Sequence, residues 1–255
     1  MGPYDGKKAV VIGGTHGVGR AMTRALLAGG AEVLVTGRNE TNVAALTDAL
    51  GELAGRAHVL RSDAGDLGQI AALARVVHER LGALDAVFLN VGVAELEPFG
   101  EVTEASFDRQ FQVNTKGMFF TAQQLTPLVR EGGSLVFTTV TPTTGTRTMS
   151  VYTGSKAAVR AFVKVLGAEL VAKKIRVNAV APGFIETPTM GIASASAEQR
   201  AALKQMGDLM TPMKRHGSAD EVALAALFLA FAATFTTGAE LPVDGGLSEV
   251  EADLS

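Results

Sequence analysis

The sequence predicts an α/β protein, a parallel sheet covered by helices on both faces and built as one domain. Short apolar runs alternate with longer segments of helical periodicity along the chain, and that alternation makes βαβ units. The runs are almost wholly apolar, as strands buried on both faces must be. A glycine-rich turn separates the first run from the first helical segment.

Taken in order, AVVI (Ala9 to Ile12) reads as the first strand and Arg20 to Ala28 as the first helix, its apolar residues recurring at helical spacing. EVLVT (Glu32 to Thr36) is the second strand, followed by a helical pattern over Thr41 to Leu53. AHVLR (Ala57 to Arg61) and AVFL (Ala86 to Leu89) are the third and fourth strands, with Leu67 to Leu81 helical between them. Phe107 to Val129 is helical, SLVFTT (Ser134 to Thr139) is the fifth strand, and Ala157 to Ala172 is helical again. IRVNAVA (Ile175 to Ala181) is the sixth strand. Thr187 to Gly217 breaks the rhythm between Pro188 and Pro212 and reads as a lid or binding flap. Val222 to Phe235 follows as a buried helix, and Ala239 to Val243 is the seventh strand, before DGG.

Composition excludes several classes. The chain has 255 residues, 47% of them hydrophobic and 19% charged, with no low-complexity tract, which fits one large folded domain spanning residues 1 to 255. A net charge of −3 and a pI near 5.9, without a Lys/Arg cluster, argue against a nucleic-acid surface. There is no cysteine, and His16, His58, His78 and His216 are far apart, so no metal site is expected. The apolar run after the first lysines is shorter than the roughly 7 to 15 residues of a signal-peptide core. The 14 residues from Val222 to Phe235 fall short of the roughly 18 to 20 of a membrane helix. A cytoplasmic protein with no membrane partner is expected.

The glycine-rich turn is GGTHGVG, Gly13 to Gly19. A strand-to-helix turn that brings backbone close to a pyrophosphate needs residues without Cβ, and the helix start then offers free N–H groups to the anion. Such a turn predicts a dinucleotide site formed by Gly13, Thr15, His16, Gly17, Val18 and Gly19. At the end of the second strand, where an Asp or Glu would bind the ribose hydroxyls of NAD, stand Gly37 and Arg38. The missing carboxylate and the adjacent guanidinium favour the 2′-phosphate of NADP(H); a solvated surface arginine is the alternative. Asp63, after the third strand, reads as an acceptor for the adenine amine or as a helix N-cap. Asn90 and Gly92 in LNVGV lie at the carboxyl edge, where ligands of such sheets bind.

The stretch VFTTVTPTTGTRTMSVYTGSK (136 to 156) places Tyr152 and Lys156 four residues apart. On one helix they share a face and can form an acid/base pair. In this order GGTHGVG, RSDAGD, LNVGV, FQVNTKG, YTGSK, RVNAVAPGFIET and VDGG run along nearly the whole chain. The sequence thereby resembles the short-chain dehydrogenase/reductase family. The resemblance implies a doubly wound (Rossmann) seven-stranded sheet of order 3-2-1-4-5-6-7, a nicotinamide cofactor and a homotetramer or homodimer.

It also implies roles. Tyr152 is the catalytic tyrosine, Lys156 its lysine and Asn114 the polar helix residue. The family serine, 13 residues before the tyrosine, is here Thr139. Asn90 falls on the nicotinamide side and Ile185 and Thr187 of PGFIET make the carboxamide contacts, with Pro182 and Gly183 among the cofactor-binding residues. Two departures stand out. Ile12 occupies the position that is threonine in most members, and LNVG (Leu89 to Gly92) replaces the usual NNAG.

These residues suit ketone reduction. An oxyanion formed by hydride transfer needs a proton, and a phenol with a pKa near 10 gains acidity when an ammonium favours the phenolate. Threonine keeps the donor and acceptor of serine while its methyl stiffens χ1. Without the resemblance, Thr139 would read as a β-branched strand residue. Met190, Met206, Met210 and Met213 in the flap, with Met149, suggest a bulky apolar or aromatic ketone, or else a helix filling a core. The expected activity is NADP(H)-dependent reduction of a ketone to a secondary alcohol. An NAD(H)-dependent alcohol or sugar dehydrogenase and a cofactor-binding protein with little turnover are the alternatives.

Overall fold

The computed structural model describes residues 2–141, 146–188 and 196–250. Strand β1 (Lys8–Ile12) starts the central sheet, followed by β2 (Glu32–Gly37), β3 (Ala57–Arg61), β4 (Leu84–Leu89), β5 (Val129–Thr138) and β6 (Arg176–Pro182). A short pair, β7 (Ile185–Glu186) with β8 (Gly217–Ser218), stands apart, and β9 (Glu240–Val243) completes the main sheet. The seven-stranded order is β3-β2-β1-β4-β5-β6-β9, every neighbouring pair parallel. Order reverses between β1 and β4, which makes a switch point at their carboxyl ends. In register, Ile12 faces both Thr36 and Leu89, and Leu89 faces Phe137. The residues that follow these strands therefore emerge side by side.

Alternation along each strand divides the core in two. Ala9 and Val11 pack with Met22, Leu26 and Leu27 of α1 (Gly17–Ala28) and with Val222, Ala226 and Leu227 of α8 (Ala219–Leu227). Val10 and Ile12 turn to the opposite face. There they join Leu73 and Val77 of α3 (Leu67–Arg80), Met118 and Leu125 of α5 (Met118–Leu125), and Val159 and Val163 of α6 (Ser150–Leu170). Each fully buried Leu, Val or Phe contributes about 1.5–3 kcal/mol, so these layers hold the strand ends in fixed relation.

Four expectations change. The helix expected over Phe107 to Val129 is α4 (Glu104–Phe111), a π-helical turn over Gln112–Gly117, then α5. Gly117 belongs to that turn because a Cβ there would lie 1.9 Å from the Ala64 carbonyl oxygen. The helix expected from Ala157 begins at Ser150, so Tyr152 and Lys156 sit inside α6. The segment from Val222 to Phe235 is not wholly buried: α8 covers the sheet with one stripe, and Leu224, Phe228 and Phe235 are exposed. Its capping box, Ser218 with Glu221, starts that helix.

The second helix, α2 (Glu40–Ala49), is shorter than Thr41 to Leu53 because a 3₁₀ turn takes over at Gly51–Arg56. In the flap, α7 (Ala197–Met210) is a helix, and the β7–β8 pair ties the flap's two ends together through Ile185 and Gly217. Met190 lies outside the described residues.

Candidate functional site

The glycine turn is tight for steric reasons. Gly13 has φ +74°, and a Cβ there would lie 2.4 Å from the Asn90 carbonyl oxygen. At Gly19 a Cβ would lie 2.1 Å from the Gly13 oxygen. Gly17, at φ +53°, starts α1 after the exposed His16, with the half-buried Val18 next to it. The first turn of α1 carries no acidic side chain, so its N–H groups present an unopposed partial positive charge. Gly14 was not foreseen: a Cβ there would lie 2.5 Å from Val35 Cγ1. Thr23 was also missed; its hydroxyl lies 2.9 Å from the Gly19 oxygen and 3.2 Å from the Gly14 oxygen, and clamps the turn from within α1.

Asn90 connects this turn to the neighbouring strand end. Its Nδ2 donates to the Gly13 oxygen at 3.2 Å, and its Oδ1 accepts from the Thr138 hydroxyl at 3.0 Å. Its own N–H donates to the Ile12 oxygen. With isoleucine at 12, the polar brace between turn and strand is therefore supplied by Asn90 and Thr138.

Lys156 is buried and reaches across from α6. Its Nζ donates to the Val91 oxygen at 2.9 Å and to the Thr138 oxygen at 3.0 Å. Gly92 touches it: a Cβ at 92 would stand 3.2 Å from Nζ. Burial lowers the Lys156 ammonium to about 7 and pushes the Tyr152 phenol up to about 12. The expected direction for tyrosine is thus reversed in the protein alone. Desolvation of the phenol dominates, while the lysine, itself desolvated, directs its donors to two backbone carbonyls. Among the described residues no side chain or backbone group hydrogen-bonds the Tyr152 hydroxyl.

Asn114, fully buried in the π-helical turn, holds the loop after β4. Its Oδ1 accepts from Val93 N–H at 2.8 Å; its Nδ2 donates to the Val93 oxygen at 2.9 Å and to Ser155 Oγ at 3.0 Å. Ser155 in turn donates to the Tyr152 carbonyl oxygen at 2.7 Å. Asn114, Ser155 and Lys156 thus connect α6 to the loop carrying Gly92.

Thr139 is buried, with a constrained hydroxyl. It approaches the Val180 oxygen at 3.1 Å and Glu240 Oε1 at 2.5 Å. Arg160 holds the other carboxylate oxygen, its Nε 2.5 Å from Glu240 Oε2, and also donates to the Val140 oxygen at 2.8 Å. Arg160 follows Tyr152 and Lys156 at four-residue steps along one stripe of α6, and Glu240 is a lone carboxylate in the short strand ELPV. Those were the available signals for two residues that sequence reasoning passed over.

At the end of β2, Gly37 has no room for a carboxylate: a Cβ would lie 2.2 Å from Thr15 Oγ1, and Thr15 is itself buried. Arg38 is exposed, and the neighbouring Arg61 donates to its carbonyl oxygen at 3.3 Å while pairing with Glu40. Asp63 does not cap α3. Its Oδ1 accepts from Gly65 N–H at 2.8 Å, and the cap is Asp66, which accepts from Gly68 and Gln69. On the opposite rim, Pro182 ends β6 and Gly183 packs on Asp244, where a Cβ would lie 2.7 Å from Asp244 Cβ. Ile185 lies in β7, and Thr187 faces Gly17, at 3.5 Å from a Cβ placed there.

Met206, Met210 and Met213 of the flap are 39%, 37% and 66% exposed, so they are not filling the core of the sheet. A surface depression of about 550 Å³ beside Asp108, Phe111 and Lys116 lies along α4, and neither Tyr152 nor Thr139 lines it. Among the described residues no group of three His, Cys, Asp or Glu side chains could hold a metal ion, and no helix is long and apolar enough to cross a membrane.

Comparison with known proteins adds context. A family model described as enoyl-(acyl carrier protein) reductase matches residues 13–248. Versicolorin reductase stcU of Emericella nidulans is 34% identical over 252 residues, covering 95% of this chain and 96% of its own. Versicolorin reductase 1 of Aspergillus parasiticus is 32% identical, with 95% and 96% covered. Among solved structures, a short-chain dehydrogenase/reductase from Brucella melitensis described as glucose/ribitol dehydrogenase superposes with a TM-score of 0.87. It is 27% identical, with 98% of this chain and 100% of that one covered.

Proposed function

The chain belongs to the short-chain dehydrogenase/reductase family, and from that membership we propose that it reduces a ketone to a secondary alcohol with NADPH. One observation carries the reading: Tyr152 and Lys156 share the α6 face that meets the switch-point edge, where Lys156 bonds the Val91 and Thr138 carbonyls. The residues present fit a nicotinamide dinucleotide. The turn from Gly13 to Gly19 packs so closely on its own backbone and on Asn90 that no Cβ fits at 13 or 19, and α1 opens behind it without an acidic residue, leaving its N–H groups to an anion. NADP(H) is preferred in this reading because Thr15 leaves no room for a carboxylate at 37, while Arg38 and Arg61 stand close by.

When bound, the reduced nicotinamide supplies a hydride to the carbonyl carbon. Tyr152 gives the proton to the carbonyl oxygen; raised to about 12 in the protein alone, it is protonated at neutral pH but a weaker acid than a free phenol, so the more basic oxyanion that forms drives the transfer. Lys156, lowered to about 7, exchanges protons readily near neutrality; its Nζ bonds the Val91 and Thr138 oxygens and not the phenol, so in this reading the proton it supplies reaches Tyr152 through an intervening hydroxyl or water. Asn114 fixes the Val93 backbone and, through Ser155, the start of α6. The exposed flap methionines support a bulky, apolar or aromatic ketone as substrate, and two of the relatives are named as reductases of versicolorin.

The test is oxidation of NADPH and NADH across a panel of aryl and alicyclic ketones, beside Tyr152→Phe. The expected result is turnover with NADPH that Tyr152→Phe abolishes. A preference for NADH with sugar alcohols would overturn the cofactor and substrate assignment.

A further inference from the structure

The Thr139 hydroxyl has one proton and two acceptor lone pairs. Two protein acceptors compete for that proton: the Val180 oxygen at 3.1 Å, which already takes the Thr139 N–H at 2.9 Å, and Glu240 Oε1 at 2.5 Å. A carboxylate makes the shorter and stronger bond of the two. Glu240 cannot swing away freely, because Arg160 holds its second oxygen and is anchored on the Val140 carbonyl. The β-branch of threonine stiffens the remaining torsion. Both Arg160 and Glu240 are largely covered, with side chains 27% and 16% exposed, so water weakens this pair less than it would a surface pair.

We propose that Glu240, held by Arg160, is a positioning residue that keeps the Thr139 proton turned into the protein and offers the site only the acceptor side of this hydroxyl. The inference rests on the reading of Thr139 as a substrate-facing residue of a reductase. It deepens that reading in one respect. Thr139 accepts a hydrogen bond from an alcohol O–H and gives nothing to a ketone oxygen, which is left to the Tyr152 hydroxyl. The alcohol form of a ligand pair is thus held more firmly by Thr139 than the ketone form. In Glu240→Gln the amide oxygen stays with the Arg160 donor and the NH2 group turns to Thr139, so the hydroxyl loses its charged acceptor and keeps the 3.1 Å bond to a shared carbonyl, which it can exchange for a ketone oxygen.

The test uses α-tetralone and α-tetralol as probes and measures affinity by calorimetry in the two combinations that cannot react, ketone with the NADP complex and alcohol with the NADPH complex. Glu240→Gln is expected to lower the alcohol-over-ketone affinity ratio about tenfold, and Thr139→Ser to keep it. In a Thr139→Val background, Glu240→Gln should change nothing further, since coupled residues lose their effect together. Arg160→Lys, a milder change, should move the ratio in the same direction by a smaller factor. A ratio that stays within twofold of wild type in Glu240→Gln, or shifts equally with valine at 139, would overturn the proposal.

Thermal unfolding of the cofactor-free protein separates this claim from the reductase reading. Non-additive midpoint shifts for Thr139→Val and Glu240→Gln support the unit even if no ketone is turned over; additive shifts overturn it even in an active enzyme.

Discussion

Gly92 lies against the end of Lys156: a Cβ at position 92 would stand 3.2 Å from Nζ and 3.3 Å from Cε. The lysine has little freedom to yield, because Nζ is held by the Val91 and Thr138 oxygens at 2.9 and 3.0 Å. Gly92→Ala is therefore expected to displace Nζ by a few tenths of an ångström and lower kcat roughly tenfold, a modest case of misplacement in an active site. NADPH affinity, measured by fluorescence titration, should fall much less. An alanine variant with full kcat would show that the lysine position is not critical.

Tyr152→Phe removes the proposed acid and leaves the packing. Loss of general acid catalysis costs about 10²–10⁴-fold, so kcat should drop into that range while the thermal midpoint and NADPH binding stay near wild type. A variant retaining more than a tenth of wild-type kcat would transfer the acid role elsewhere.

The cofactor preference rests on two adjacent positions. Arg38→Ala should raise the KM for NADPH about tenfold, as expected for loss of one charge-assisted hydrogen bond of about 1.5–3 kcal/mol, and leave the KM for NADH nearly unchanged. Gly37→Asp should not create an NADH enzyme. Its Cβ would collide with Thr15 Oγ1 at 2.2 Å, and overpacking of this kind costs about 1–3 kcal/mol. Steady-state kinetics with both cofactors and a thermal melt decide these points; an active, stable Gly37→Asp preferring NADH would refute the steric argument.

Much of the fold and of the site is legible in the sequence because the repeating pattern is physical. Strands buried on both faces are apolar runs, so all seven of the main sheet can be placed, and the turn from Gly13 to Gly19 announces itself through residues that cannot carry a Cβ. The local breaks are not legible. The π-helical turn at Gln112–Gly117 depends on how closely Gly117 approaches Ala64, a contact between segments about fifty residues apart. Glu240 is invisible as a site neighbour because β9 follows β6 in the sheet only after the flap and α8 intervene, and its partners Thr139 and Arg160 come from two other elements. The direction of the Tyr152 shift is hidden for a similar reason: spacing places an ammonium four residues away, but only packing tells that both groups are desolvated and that the lysine's donors are engaged elsewhere.

Lys156 also gives a pH prediction for stability. Its ordinary pKa of about 10.4 applies in the unfolded chain, and burial brings the folded value down to about 7. Between these values the unfolded state binds more protons than the folded one, so stability rises with pH across that window. Below about pH 7 both states are protonated and the slope from this group vanishes. Tyr152 acts oppositely and higher: raised to about 12, it makes stability fall as pH rises above its ordinary value near 10. Thermal midpoints of the cofactor-free protein measured from pH 6 to 9.5 should therefore rise above about pH 7 relative to Lys156→Met, in which the lysine contribution is absent. Parallel pH profiles for wild type and Lys156→Met would show that the lysine remains charged in the folded protein, its ammonium sustained by the Val91 and Thr138 carbonyls against the loss of water.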